Sequence, residues 1–247
     1  MNNIYNRETK YNAFSLLEMI ITTFIIGFIM IIVALVLTTL IKVSVVTTNK
    51  TAARNDSEFV LELLRRNIKS SNPDHVRIYN SHNNRIYNKE TGRVTDIGFQ
   101  ETQDWTSVGP GEKGNEIHFR PQGSQNWVCI AYYWGPTWDV EKKKDEKGEN
   151  IRMGYILKVT KDKDEYALAK DCFGVLNSKH SLMVLNSKSI NVKDFSLLYR
   201  THGEDAINKI IQIDMLVQPV HWYFAKGAPI NREVYRQAII TTESIKW

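Results

Sequence analysis

Hydrophobic and polar positions divide this chain into three stretches of different period. From Phe14 to Ile41, "FSLLEMIITTFIIGFIMIIVALVLTTLI", almost every position is apolar and Glu18 is the sole ionisable side chain. A helix over that stretch rises about 1.5 Å per residue and reaches roughly 42 Å, against about 30 Å of bilayer hydrocarbon, so it is long enough to span. In "SEFVLELLRRNIKSS", Phe59, Val60, Leu63, Leu64 and Ile68 recur at helical spacing with Glu62, Arg65 and Arg66 beside them. That pattern predicts an amphipathic helix whose apolar stripe packs on a sheet. The intervening "VSVVTTNKTAARND" is rich in β-branched and polar residues, whose intrinsic helix propensity is low. Ser70-Ser71-Asn72-Pro73 predicts the helix stop.

From His75 onward the period changes to two. The predicted strands are "HVRIYN", "EIHFR", "WVCIAYYW", "MGYILKVT", "EYALAK", "DFSLLYR", "KIIQIDMLV" and "VYRQAIITTESI", separated by Gly, Asn, Asp and Lys clusters. The fold class this implies is α+β, a long N-terminal α-helix, membrane-spanning in its first half, packed against a C-terminal antiparallel β-sheet head domain. Residues 14–41 form the membrane segment, 42–72 its amphipathic continuation and 73–247 the head. A secretory signal peptide is the first competitor for the apolar stretch. Its apolar region runs about 7–15 residues and ends in a small-x-small site. Here the run is longer and passes into Thr38-Thr39-Leu40-Ile41-Lys42 without such a site, so the segment is expected to stay attached.

Charge narrows the picture only a little. The formal charge is +5 and the sequence pI is near 9.0, a balance that speaks for solubility more than for a nucleic-acid partner. Arg7 and Lys10 precede the span while Lys42, Lys50 and Arg54 follow it, so positive charge alone leaves the orientation open. Glu18 is sharper. An ionised carboxylate inside a membrane helix costs about 2.5–3.5 kcal/mol on insertion scales, which calls for a partner, a task or an escape to the interface.

The residues around Glu18 decide among those readings. Lys10, Ala13, then Phe14-Ser15-Leu16-Leu17-Glu18, with Ile25-Ile26-Gly27 inside the span, resemble the cleavage and methylation motif of type IV prepilins. The resemblance implies that residues 1–13 are a cytoplasmic leader, that a prepilin peptidase cuts between Ala13 and Phe14, and that the new amino group of Phe14 is methylated. It also implies an extracytoplasmic head. In an assembling filament the Phe14 amine would neutralise Glu18 of an adjacent subunit, a charge pair that is strong and position-specific in low dielectric. The sequence departs from the family in having Ala13 where Gly is usual, and in lacking the Pro that interrupts many pilin spans. "VKDFSLLYR", a polar loop, "IIQIDMLVQP" and a terminal strand resemble the larger minor pilins and minor pseudopilins of filament tips.

The expected partners are therefore the prepilin peptidase, other major and minor pilins, an inner-membrane assembly platform and membrane lipid. The expected role is starting or capping a type IV pilus or type II secretion-like filament. A filament-borne receptor for DNA or surfaces and an unprocessed single-pass membrane protein are the alternatives. DNA enters through Trp127, Tyr132, Tyr133, Trp134 and Trp138, next to Lys142, Lys143 and Lys144. Alternation places some of these rings in the core, and exposed ones could stack on single-stranded bases.

Other motifs carry less. "GPGEKG", Gly109 to Gly114, fits G-x-G-x-x-G, but the alternating "EIHFR" follows it instead of a helix, so a loop is expected. "EKKKDEKGEN", Glu141 to Asn150, lacks calcium-loop spacing and reads as a solvated loop. The six histidines are scattered without metal-ligand spacing. No nucleophile, base and orienting acid come together locally, so neither an enzyme nor a cofactor is expected. Cys129 and Cys172, on the exported side, either form a disulfide or remain two buried thiols.

Overall fold

The computed structural model describes residues 15–80, 85–88, 93–96, 106–136, 152–169, 171–174, 182–187, 190–200, 209–219 and 233–242. They comprise one long helix, α1 (Leu16–Lys69), a short helix α2 (Asp171–Gly174), a 3-10 turn (Lys163–Glu165) and strands gathered into two sheets, an α+β arrangement. The chain divides into two compact units, Met1–Thr48 and Asn49–Trp247.

In the first unit the apolar stretch is helical from Leu16, and its side chains are exposed throughout. The helix is long and apolar enough to cross a membrane. Its hydroxyls do not compete with the backbone ladder. Thr22 and Thr23 donate to carbonyls one turn back, Thr22 to Glu18 O at 2.7 Å and Thr23 to Met19 O at 2.8 Å, and Thr38 and Thr39 do the same. Each hydroxyl is thereby satisfied inside its own helix, as lipid requires.

In the second unit the same helix changes character. Ala53, Ser57, Val60, Leu61, Leu64 and Ile68 are buried, spaced at three and four residues along one face. Glu62, on the opposite side, accepts from Arg65 Nη1 at 2.7 Å and Arg66 Nε at 2.9 Å. The helix does not need Pro73 to stop it. Ser70 and Ser71 hydroxyls donate to Asn67 O, occupying a terminal carbonyl, and β1 (Ser71–Asn80) starts at once.

The larger sheet contains β1, the hairpin β2 (Arg85–Asn88) and β3 (Arg93–Asp96), β4 (Thr106–Ser107), β6 (Glu116–Pro121), β7 (Asn126–Pro136), β8 (Arg152–Asp162) and β9 (Met183–Val184). β7 is its spine, antiparallel to β8 over its whole length and to β6 over Val128–Ala131. Beyond β6 the same edge of β7 meets β2 in a parallel bridge between Ile86 and Trp134. The smaller sheet runs β12 (Val234–Thr241), β11 (Ile210–Pro219), β10 (Ile190–Arg200) and β5 (Lys113–Gly114), all antiparallel. The single antiparallel sheet expected from the sequence is thus two sheets.

Alternation sorts the larger sheet into two faces. Val76, Ile78, Ile117, Phe119, Val128, Ile130 and Ile156 point inward and share one core with the buried stripe of α1 and with Phe195, Leu197, Ile211, Ile213 and Met215 of the smaller sheet. Trp127, Cys129, Ala131, Tyr133, Tyr155 and Leu157 point the other way. They form a second core with Tyr166, Cys172 and Phe173, which cover that face. At about 1.5–3 kcal/mol for each fully buried large side chain, both cores contribute substantially. The sheets meet at Gly154, where an added Cβ would collide with the Val192 carbonyl. Its N–H donates to Asn191 Oδ1 at 2.9 Å, and the Tyr132 hydroxyl donates to Val192 O at 2.8 Å.

One expected strand is absent. "EYALAK" is not a strand: Glu165 ends the 3-10 turn and Tyr166 to Ala169 are irregular. Tyr166 turns its ring onto the larger sheet, and the Asp171 carboxylate accepts the Leu168 N–H at 2.7 Å, starting α2. "GPGEKG" is a turn at Pro110–Gly111, with Gly111 at φ 85°, leading into β5.

Candidate functional site

The start of α1 is the first place to look for function, because it sets Glu18 beside the expected cut. Ala13 and Phe14 lie outside the described residues, as do Lys10, Trp138 and Lys142 to Lys144. What is described begins at Ser15. The Ser15 N–H donates to Glu18 Oε2 at 3.0 Å, and the Glu18 N–H donates to Ser15 Oγ at 3.2 Å. This reciprocal pair is a capping box, with Ser15 as N-cap and Glu18 at the third helical position. It satisfies two backbone donors of the kind that water would otherwise have to reach at a helix end. The signature S-x-x-E was present in the sequence.

The cap gives Glu18 a task within its own chain and still leaves it exposed, with Oε1 outside that bond. A carboxylate in the first turn also complements the partial positive charge of the helix N-terminus. An amine brought to this turn, from this chain or another, would meet a carboxylate already held in one orientation.

The second polar concentration lies in the core behind β7. Glu116 and His118, both completely buried on β6, are 2.6 Å apart from Oε1 to Nε2, and the Tyr166 hydroxyl is 2.7 Å from His118 Nδ1. A neutral imidazole satisfies both contacts, its Nε2–H donating to the carboxylate and its Nδ1 accepting from the phenol. Burial, and then neighbouring Tyr79, hold Tyr166 well above the ordinary tyrosine pKa, so it stays a donor. Tyr79 packs its ring 4.7 Å from His118. Since Glu116 and His118 are without solvent access, the chain Glu116–His118–Tyr166 ties β6 to the 3-10 segment and offers no surface to a substrate.

Cys129, directly opposite His118 in the sheet register, is joined to Cys172 of α2 in a disulfide, with Cα atoms 6.3 Å apart. That separation is ordinary for the bond. It pins α2 over the second core. His118, Cys129 and Cys172 place their ligand atoms within 4.8 Å of one another, a convergence invisible in the spacing of the histidines. In the described state both ring nitrogens and both sulfurs are already engaged.

The aromatic stretch separates as alternation requires. Trp127 and Tyr133 are buried, and Tyr132 and Trp134 are half-buried. Trp127 stacks on Tyr166 with ring centroids 4.4 Å apart and planes at 19°. One face of the Trp127 ring is therefore filled by a tyrosine. Comparison of the chain with protein-family models, with curated proteins and with solved structures finds no match.

Proposed function

We propose that this chain is a minor pilin or minor pseudopilin, a low-copy subunit that starts or caps a type IV pilus or a type II secretion-like filament. The single observation that carries the reading is the ordered set Lys10, Ala13, Phe14-Ser15-Leu16-Leu17-Glu18 at the head of an apolar helix. Supporting it, Glu18 stands exposed in the first turn of that helix, and the helix ends in a stripe buried by a β-rich head. In the proposed mechanism, a prepilin peptidase cuts after Ala13 and the Phe14 amine is methylated. The cationic amine would sit at the positive end of its own helix, an unfavourable place. Glu18 of a neighbouring subunit offsets that cost when the helices come together, so the pair holds each incoming subunit at one axial register. The membrane-spanning helix stores the subunit in the bilayer until an assembly platform adds it to the filament.

The test is incorporation. Glu18→Ala should insert in the membrane as well as the unaltered chain, or better, since a costly carboxylate is gone, yet fail to enter sheared filaments on quantitative proteomics. Deletion of the chain should reduce filament number while its own abundance lies far below that of the shaft subunit. Normal incorporation of Glu18→Ala would remove the pairing role, and abundance equal to the shaft subunit would remove the tip assignment.

A further inference from the structure

An open pocket lies at the margin of the larger sheet, where β1 begins and β6 ends. It has a volume of about 280 Å³ and is lined by Asn72, His75, Arg120, Lys163 and the turn following β6. Neither the capping box nor the proposed assembly chemistry uses these residues. The turn is closed by the Ser124 N–H donating to Pro121 O at 3.0 Å, with Gly123 at φ 75° and no atom within 4 Å of where its Cβ would stand. The wall on that side is therefore low and open to solvent.

Arg120 and Lys163 line this pocket, and no carboxylate is among its lining residues. Arg120 Nη2 lies 2.7 Å from His75 Nε2. A guanidinium only donates, so that imidazole nitrogen must be unprotonated. Burial, and then the charge of Arg120, hold His75 below its ordinary pKa; Arg77 and Lys163 push the same way, and Asp74 opposes them. The guanidinium carbons of Arg77 and Arg120 lie 5.5 Å and 5.6 Å from the centroid of the Trp127 ring, itself fixed by its stack on Tyr166. Among the described residues, Arg77, Arg120 and Lys163 form no ion pair. The result is a guanidinium held in place by an imidazole and an indole, with an ammonium lining the same pocket and, among the described residues, no ion pair to either.

We propose that this pocket binds the terminal phosphate or sulfate of a small monoester, with Arg120 as the forked donor and Lys163 as the opposing point charge. The guanidinium fork fits two oxygens of a tetrahedral oxyanion, and an ammonium serves as a compact second charge. His75 is a positioning residue, orienting Arg120 without adding charge of its own. The volume is near the lower end of ligand pockets, about 300–1,000 Å³, which suits a single charged group carrying one small organic substituent. The inference stands apart from the filament reading, since it requires neither cleavage nor assembly.

The experiment is calorimetric titration of the full chain in detergent micelles at low ionic strength, with inorganic phosphate, inorganic sulfate and a hexose monophosphate as separate probes. Saturable one-to-one binding of at least one probe is expected, weakening with added salt. Lys163→Gln, a change at an exposed position, and Arg120→Gln should each weaken it by about tenfold or more, as loss of a charge-assisted contact does. Arg66→Gln, on the far side of α1, should leave it unchanged. His75→Gln should weaken binding less than Arg120→Gln does. A monoester that binds more tightly than free phosphate assigns the site to a carried group, and equal affinities assign it to the oxyanion alone. Absence of saturable binding for all three probes, or binding that both Lys163→Gln and Arg120→Gln leave intact, overturns the proposal.

Discussion

One helix carries two solvation problems. Between Leu16 and Thr48, Leu16, Phe24 and Met30 expose 81%, 76% and 65% of their surface, whereas between Asn49 and Lys69, Leu64 and Ile68 expose 0%. The secondary structure is the same on both sides of that divide, and the local propensity near the join is poor on both. What differs is how the apolar residues are distributed around the helix and whether the protein itself covers them. The first stretch is apolar on every side, as a helix surrounded by lipid must be. The second is apolar on one stripe, which the protein itself covers with two sheets. A long apolar helix is therefore not one structural unit energetically, even when its backbone is continuous.

Truncating a side chain on each side of the divide tests this with the largest expected effect. Leu64→Ala should destabilise the second unit by about 2–5 kcal/mol, read as a lowered midpoint in thermal unfolding of the full chain in micelles. Ile32→Ala should move the same midpoint by less than about 0.5 kcal/mol, the range for positions outside a protein core. Equal effects of the two changes would erase the comparison.

The second unit also has a covalent brace that the first lacks, since Cys129 and Cys172 join positions 43 residues apart in sequence. Replacing both with Ala should cost about 2–4 kcal/mol of unfolding free energy in that unit and leave the helicity of the first unit unchanged in far-UV circular dichroism. Before reduction an alkylating reagent should add to neither cysteine, and after reduction to both; labelling of both without reductant would mean free thiols.

The smallest effect is on pH dependence, again confined to the second unit. His75 has its pKa lowered in the folded state by burial and by Arg120, so the unfolded chain takes up this proton first on acidification. Stability from this group is present above the ordinary histidine value of about 6.5 and is lost as pH falls below it. His75→Gln should flatten the slope of unfolding free energy between about pH 6.5 and 5. An unchanged slope would mean that Arg120 does not hold His75 neutral.

Much of this fold was legible because its long elements carry a period. The apolar run announced α1, and alternation over β7, β8, β10, β11 and β12 announced strands that fell where expected, each long enough to repeat the pattern several times. β4, β5 and β9 have two residues each, too few to show any period. "EYALAK" alternates and is not a strand, because Tyr166 gains more from His118 and Trp127 across the sheet than from a ladder of its own. Two partners in the buried chain, His118 and Tyr166, are 48 residues apart, and the cation pocket draws on β1, β6 and the 3-10 turn. Such sites arise from topology, which local spacing does not encode. The capping box was different: Ser15 and Glu18 are three residues apart, and the signal was there to be read.

The most direct measurement is the mass of the amino-terminal peptide from protein purified from its native host. The account predicts a chain beginning at N-methyl-Phe14, and loss of that species when Ala13→Leu blocks the cut. A native terminus at Met1 would contradict it, leaving a single-pass membrane protein whose Glu18 only caps its own helix.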